Sequence, residues 1–138
     1  DWYNLGASTN VSNLRNTYDE VRIWNYEDNA FQSTGLQFCG LIMGDHSKSG
    51  INTMFNTGTV VGVCANIFGS GFPPKHIPSF SWCDNGALET YRSEKAFDMV
   101  ERVMTRREIE FDTDERLILL RILEDTANQR SWENEPGT

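Results

Sequence analysis

The sequence predicts a mostly β fold in which short strands wind into a coil of six-residue units, with one inserted β-hairpin and two C-terminal α-helices. Three observations lead to this prediction. Residues 43–67 place an apolar or small residue at every sixth position, residues 21–32 alternate apolar and polar side chains around a polar turn, and residues 87–123 carry apolar residues at helical spacing.

The six-residue units follow a simple rule. Each opens with an apolar or small residue followed by glycine or asparagine, as in Met43-Gly44, Ser49-Gly50, Phe55-Asn56 and Val61-Gly62, and each has a small fifth residue, as in Ser47, Thr53, Thr59 and Ala65. One short strand and one tight corner fit six residues, so we expect the first residue to point inward and the second to let the chain bend. Three units close a triangular turn, and only stacked turns bury a continuous core.

An insertion interrupts this coil near the start. Leu5-Gly6 opens a unit of the same kind, but it is two residues out of phase with the later units. Residues 14–38 account for the interruption, because residues 21–26 alternate like a strand, Glu27-Asp28-Asn29 gives a turn and residues 30–32 resume the alternation. This pattern predicts a β-hairpin.

The proline-rich segment Gly69 to Pro78 follows the coil, and because proline lacks the N–H that a strand ladder needs, the repeat is predicted to end there.

Ala87 to Arg107 is predicted to be an amphipathic helix, and a second helix to begin after Asp112, whose carboxylate can cap it with Glu115 three residues later. The expected domains are therefore residues 1–80, coil with a hairpin at about 14–38, and residues 81–138, a helical extension and tail packed on the coil.

Composition excludes several function classes. The net charge is -8, and the sequence shows no concentrated basic patch, so nucleic acid and anionic membranes are not expected as partners. Three cysteines without CxxC spacing indicate reduced thiols in a cytoplasmic protein, and no metal-ligand spacing occurs. The chain begins without methionine, at a repeat, and we expect it to be a fragment of a longer protein.

The units resemble those of the hexapeptide-repeat transferases. Residues 4–13, followed by the insertion and by Ile42-Met43-Gly44-Asp45, resemble the acetyltransferase half of bifunctional glucosamine-1-phosphate acetyltransferase/N-acetylglucosamine-1-phosphate uridylyltransferase. Residues 36–82 are more similar to the C-terminal part of bacterial sugar-1-phosphate nucleotidyltransferase-like proteins, a group sometimes labelled glucose-1-phosphate thymidylyltransferase. The resemblance implies a left-handed parallel β-helix, a homotrimer, acetyl-CoA bound in the groove between neighbouring β-helices, and a nucleotidyltransferase domain that would precede this chain.

The resemblance also implies catalytic candidates. Asn4 matches a substrate-side asparagine, and Asn13 matches an asparagine whose amide can polarise the acetyl carbonyl or orient the acceptor amine. The family's tyrosine after this second asparagine is Leu14 here. The general-base histidine of the resembled enzymes lies upstream of Asp1, outside this chain.

Four residues are the coenzyme-binding candidates, and three of them follow from the resemblance. The backbones of Ala7 and Gly69 are expected to face acetyl-CoA. Lys48 is a candidate because Lys48 and Lys75 are the only lysines in the repeat region and its exit, and either could meet a CoA phosphate. Ile51 occupies the position of a coenzyme-binding serine, although it cannot donate the same hydrogen bond. Of the two histidines, His46 is interpreted as a surface corner and His76 as part of the proline-rich exit.

Three functions stay open. The first is acyl-CoA-dependent transfer to a sugar phosphate in nucleotide-sugar synthesis. The second is a non-catalytic trimerisation scaffold for the nucleotidyltransferase domain, favoured by Leu14, Ile51 and the missing base. The third is a carbohydrate-binding solenoid that stacks sugars on Trp2, Trp24 and Tyr26.

Overall fold

The computed structural model describes residues 1–134, in which short β-strands are followed by two α-helices. Within this range the strands lie between Asn4 and Thr90, and the helices begin at Ser93. The prediction of a mostly β class with two C-terminal helices is therefore confirmed.

Most of these strands pair in parallel. The strands are β1 (Asn4–Leu5), β2 (Asn10–Val11), β3 (Arg22–Asn25), β4 (Ala30–Ser33), β5 (Ile42–Met43), β6 (Lys48–Ser49), β7 (Met54–Phe55), β8 (Val60–Val61), β9 (Asn66–Phe68), β10 (His76–Ile77), β11 (Ser81–Asp84) and β12 (Ala87–Thr90). The parallel sheets have the orders β1-β6-β9-β11, β5-β8-β10 and β2-β7, while β12 joins β11 in antiparallel pairing and β3 pairs with β4.

The parallel register repeats every 18 residues. Lys48 pairs with Asn66, and Ile42 pairs with Val60, so each pair spans three six-residue units. The consecutive strands β6, β7 and β8 belong to three different sheets, and β9 rejoins the sheet of β6. The chain therefore visits three sheets in turn and stacks each new strand beside an earlier one.

The insertion is a β-hairpin, as predicted. Strands β3 and β4 are antiparallel, and an isolated bridge joins Leu14 to Phe38 at the base of the hairpin. Asn4 in β1 consequently pairs with Lys48, 44 positions later instead of 18. The 26 extra residues equal four units plus two residues, which explains the phase shift in the repeat.

The first residue of each unit points inward, as predicted. Phe55, Val61 and Ile67 are at most 2% exposed, and they form one core cluster with Ile77 and Cys83 from later strands. Burial of an aliphatic or aromatic side chain of this size contributes about 1.5 to 3 kcal/mol. The interior between the three sheets is therefore a packed apolar core.

The second-position glycines have a different role from the predicted one. The left-handed backbone conformation, with φ between 54° and 63°, falls on the fourth residue of each unit, at His46, Asn52, Gly58 and Cys64. A Cβ at Gly62 would lie 2.4 Å from the backbone nitrogen of Ser79 in the next layer. The prediction that the second residue lets the chain bend is wrong, because glycine is needed there for the close approach of neighbouring layers.

The prediction that the repeat ends at the proline-rich segment is also wrong. Strand β10 pairs in parallel with β8, and β11 pairs in parallel with β9. In this layer His76 pairs with Val60, so the register shortens to 16 residues. The segment therefore shortens one layer without ending the sheets, which continue past residue 80.

The first helix begins later than predicted, at Ser93 instead of Ala87. Residues Ala87–Thr90 form β12, which is antiparallel to β11. Asn85 and Gly86 join the two strands, and both have positive φ. Such a dipeptide is a strong signal for a tight hairpin, and it overrides the helical spacing of the residues that follow.

The two helices, α1 (Ser93–Thr105) and α2 (Thr113–Asp125), pack on the strand layers, as predicted. α1 buries Phe97 and Val100 in one cluster with Phe80 and Cys64, which lie at corners between strands. The cap of α2 is confirmed, because Oδ1 of Asp112 accepts a hydrogen bond of 2.9 Å from the backbone N–H of Glu115.

Arg130 fixes the chain after α2 to the strand layers. Its guanidinium is 2% exposed and donates to the carbonyl oxygens of Ser79 (3.1 Å) and Leu123 (2.8 Å). It also donates to Oγ1 of Thr126 (2.8 Å) and to the carboxylate of Glu133 (2.5 Å). A buried charge with this many partners ties the C-terminal segment to the β core.

Candidate functional site

A cleft of about 880 Å³ lies where β1 and β6 meet the C-terminal end of α1. It brings together residues that are far apart in the sequence. The lining residues are Asp1, Trp2, Tyr3, Asn4, Lys48, Val103, Arg106 and Arg107.

Two of the predicted site residues meet in this cleft. Asn4 and Lys48 are direct partners across β1 and β6. Their neighbours along the strands take the inward positions, and Ser49 is buried. Because successive side chains of a strand point to opposite faces, Asn4 and Lys48 turn outward into the cleft.

The opposite wall comes from α1 and the turn that ends it. Val103 lies in the last turn of α1, and Arg106 and Arg107 follow directly after Thr105, three and four positions beyond Val103. Sequence reasoning missed both arginines. This spacing is the signal that could have linked them to Val103, but only the packing of α1 shows that they face Lys48.

The cleft is basic although the chain has a net charge of -8. Lys48, Arg106 and Arg107 line it, and none of them forms an ion pair within residues 1–134. Burial lowers the pKa of the Lys48 amine, an effect that the nearby Cys64 thiol opposes. The basic patch that the sequence does not show is thus assembled by the fold from two distant segments.

His46 is not the surface corner that was predicted. It is 2% exposed and stacks on Trp2 with ring centroids 6.2 Å apart. Its Nε2 lies 3.7 Å from Oε1 of Glu115, and its Nδ1 has no hydrogen-bond partner within the described residues. The pKa of His46 is lowered, because the effect of burial exceeds the opposing effect of the carboxylates of Glu115 and Asp45. The cause of the wrong prediction is the packing of the helices over this corner.

The hairpin folds back on its own chain through His76. The rings of Trp24 and His76 stack with centroids 4.4 Å apart, and the Tyr26 hydroxyl lies 3.3 Å from Nε2 of His76. The Lys75 amine donates to the carbonyl oxygen of Arg22 at 3.0 Å. Trp24 is therefore occupied by an internal ring contact, which argues against its use as an open sugar-stacking surface.

Acidification is expected to destabilise the protein through His76. Burial lowers the pKa of His76 from 6.5 to about 4. Between these two pH values His76 is protonated in the unfolded chain and neutral in the folded chain. The contribution of neutral His76 to the free energy of unfolding is therefore complete above about pH 6.5 and is lost as the pH falls toward 4. Thermal melting between pH 7 and pH 4 checks this expectation. His76→Phe keeps a ring against Trp24 but cannot be protonated, so its melting temperature should fall less with pH, and an equal fall would contradict the argument.

Two further coenzyme candidates lie in a different groove. Ile51 and Gly69 line a groove of about 630 Å³ together with Met54 and Phe68. Ile51 is 69% exposed, and Gly69 has a φ of 108°. The structure thus brings Ile51 and Gly69 together but separates them from the cleft that Lys48 lines.

Ala7 and Asn13 line neither of these two spaces. The carbonyl oxygen of Ala7 accepts a hydrogen bond of 2.8 Å from the backbone N–H of Asn52 in the next layer. The carbonyl oxygen of Asn13 accepts one of 3.0 Å from Cys39 at the base of the hairpin. Both side chains are exposed, and the roles that the resemblance implies for them stay predictions.

Other chemistry has little support in residues 1–134. These residues contain no group of three or more His, Cys, Asp or Glu side chains placed to hold a metal ion. Burial raises the pKa of the Cys64 thiol to about 12, so this cysteine is a poor nucleophile. Among the described helices, none has the length and apolar character needed to cross a membrane.

Comparison with known protein families and with curated proteins found no match to this sequence. The cleft and its residues are therefore the features that bear on function. Of the six predicted site residues, Asn4 and Lys48 share the basic cleft, and the cations that complete it were not predicted.

Proposed function

We propose that this chain is the C-terminal hexapeptide-repeat module of a sugar-1-phosphate nucleotidyltransferase-like protein, that the parent protein transfers an acyl group from acetyl-CoA to a sugar phosphate in nucleotide-sugar synthesis, and that this chain alone is inactive. The observation that carries the proposal is the meeting of Asn4 and Lys48 in one cleft. The resemblance implies Asn4 beside the acceptor, and the charge of Lys48 suits a coenzyme phosphate. A cleft of about 880 Å³ is in the size range of small-molecule sites.

The fold that we propose is a left-handed parallel β-helix. The 18-residue register and the visits to three sheets in turn support it. We further propose a cytoplasmic homotrimer with acetyl-CoA between neighbouring subunits. Ile42 and Ile51, which are 49% and 69% exposed, are apolar surfaces that a neighbouring subunit would bury.

The residues of the cleft have chemistry suited to binding and orientation. The Lys48 ammonium can pair with a phosphate, and the Asn4 amide can orient the acceptor by hydrogen bonds. When bound, acetyl-CoA supplies a thioester that the amine or hydroxyl of the acceptor attacks, with release of the CoA thiol. The proton needs a base, and neither histidine of this chain lines the cleft. The resemblance places that base upstream of Asp1.

Calorimetric titration with acetyl-CoA tests the proposal. We expect a micromolar Kd, which corresponds to about -8 kcal/mol. Lys48→Ala should weaken binding by about tenfold or more, since it removes a charge-assisted contact. Lys95→Ala is the matched control, because Lys95 is exposed on α1 and does not line the cleft. Absence of binding, or equal binding by Lys48→Ala and the wild type, would contradict the proposal.

The second candidate is a trimerisation scaffold without catalysis. Strands β1, β2 and β5 each have an unpaired edge within residues 1–134. Leu5 and Val11 on these strands are 39% and 41% exposed, although Ile67 in the sheet of Leu5 and Phe55 beside Val11 are buried. Unpaired edges and exposed core positions favour a covering layer from another segment or chain. Sedimentation of a trimer that does not bind acetyl-CoA would favour this candidate.

A further inference from the structure

We infer that the cleft beside β1 binds the diphosphate group of a nucleotide, with Lys48, Arg106 and Arg107 pairing with its oxygens and Trp2 supporting its base. The inference deepens the proposed function, and it rests on that function only in taking the cleft as the coenzyme site. A diphosphate next to a base occurs both in the ADP portion of acetyl-CoA and in a free nucleoside diphosphate. The chemistry of recognition is the same for both.

The three cations need a counter-charge. No carboxylate in residues 1–134 pairs with any of them, although acidic residues outnumber basic ones in the chain. Lys48 is in addition partly desolvated, which lowers its pKa. An anion paired with its ammonium group would offset this cost of burial. Arginine forks bind phosphate oxygens in pairs, which favours a phosphate over a monovalent halide.

Two negative charges at the cleft are together smaller than the positive charge of its three cations. The carboxylate of Asp1 is part of the lining, and α1 ends at the cleft, where helix carbonyls carry roughly half an elementary charge. Three full cations exceed their sum. The cleft therefore keeps a net positive charge.

Trp2 supplies a fixed planar surface at the same place. Its ring stacks on buried His46 with an angle of 8° between the planes, and it is half-buried. A tryptophan whose ring is held in place by this contact can support a base at little entropic cost, and bases of any sequence stack favourably on aromatic rings. A volume of about 880 Å³ is far more than a phosphate alone fills, so the observations favour a nucleotide over an inorganic anion.

The experiment is calorimetry on the full chain with ADP, inorganic pyrophosphate and adenosine as probes. We expect ADP to bind more tightly than pyrophosphate, and adenosine to bind least. The double variant Arg106→Gln/Arg107→Gln should weaken the binding of ADP and pyrophosphate by about tenfold or more. Trp2→Ala should weaken the binding of ADP but leave the binding of pyrophosphate unchanged. Lys95→Gln, which removes one exposed positive charge from α1 outside the cleft, is the control and should change nothing.

The outcomes separate this inference from the proposed function. Absence of ADP binding at millimolar concentration, or unchanged binding by the double arginine variant, would overturn the inference. If ADP binds and its binding is weakened in the double arginine variant while acetyl-CoA does not bind, the nucleotide site stands and the acyl-transfer function fails. If acetyl-CoA binds while neither its binding nor the binding of ADP is weakened in the double variant, the function stands and the inference fails. Because both arginines are exposed, the variant should fold, and its melting curve verifies this.

Discussion

Arg130→Met is expected to lower the free energy of unfolding by about 3 to 5 kcal/mol, because each buried acceptor left without its donor costs about 1 to 3 kcal/mol. Methionine fills much of the space but donates no hydrogen bond. The carbonyl oxygens of Ser79 and Leu123 would lose a donor, and the carboxylate of Glu133 would lose its partner. Because the guanidinium joins the segment after α2 to the strand layers, the loss should also loosen the packing of that segment.

Urea unfolding measures this effect, with Arg121→Met as the matched control. Arg121 also pairs with a carboxylate, that of Asp125, but its side chain is 74% exposed. Pairs of this kind contribute little to stability because water and salt screen them. We expect a large shift of the midpoint for Arg130→Met and almost none for Arg121→Met. Similar midpoints for the two variants would show that Arg130 does not anchor the fold.

Gly62→Ala is expected to destabilise the protein by about 3 kcal/mol, at the upper end of the range for overpacking. The new Cβ would lie 2.4 Å from the backbone nitrogen of Ser79 and 2.5 Å from its Oγ. That hydroxyl accepts a hydrogen bond of 2.9 Å from the backbone N–H of Val63. Since the obstacle is mainly backbone, the layers would have to separate, which would also lengthen the hydrogen bond from Gly62 to Ile77.

Gly71→Ala separates close approach from backbone bending as the reason for glycine. At Gly71 the φ is 81°, but a Cβ would meet no atom within 4 Å. Its cost should be limited to the conformational strain of about 1 to 2 kcal/mol. Both variants can be compared by thermal and urea unfolding. If Gly71→Ala were the more harmful substitution, the stacking explanation for Gly62 would be wrong.

The repeat made much of the fold predictable. Its period gave the inward positions of Phe55, Val61 and Ile67, and the break in phase gave the hairpin at residues 14–38. Both features are local in sequence, since the strands follow each other every six residues. Asn85-Gly86 was also a local signal, of the kind that predicts a hairpin, but the helical spacing further along was extended back over it.

Long-range packing accounts for what the sequence did not predict. His46 looked like a surface corner, and it is buried because Trp2 and α2 cover it from distant parts of the chain. Arg106 and Arg107 have no partner nearby in the sequence, and their approach to Lys48 depends on how α1 crosses the strand layers. The separation of Ile51 and Gly69 from Lys48 likewise follows from the stacking of layers. No periodicity encodes these contacts.

Amide chemical shifts recorded during the acetyl-CoA titration locate the ligand site, which we place in the cleft shared by Asn4 and Lys48. We expect the largest shifts on Asn4, Lys48 and the end of α1 around Arg106. Shifts centred instead on Ile51 and Gly69, in the separate groove, would contradict it, as would a titration that shifts no amide at all.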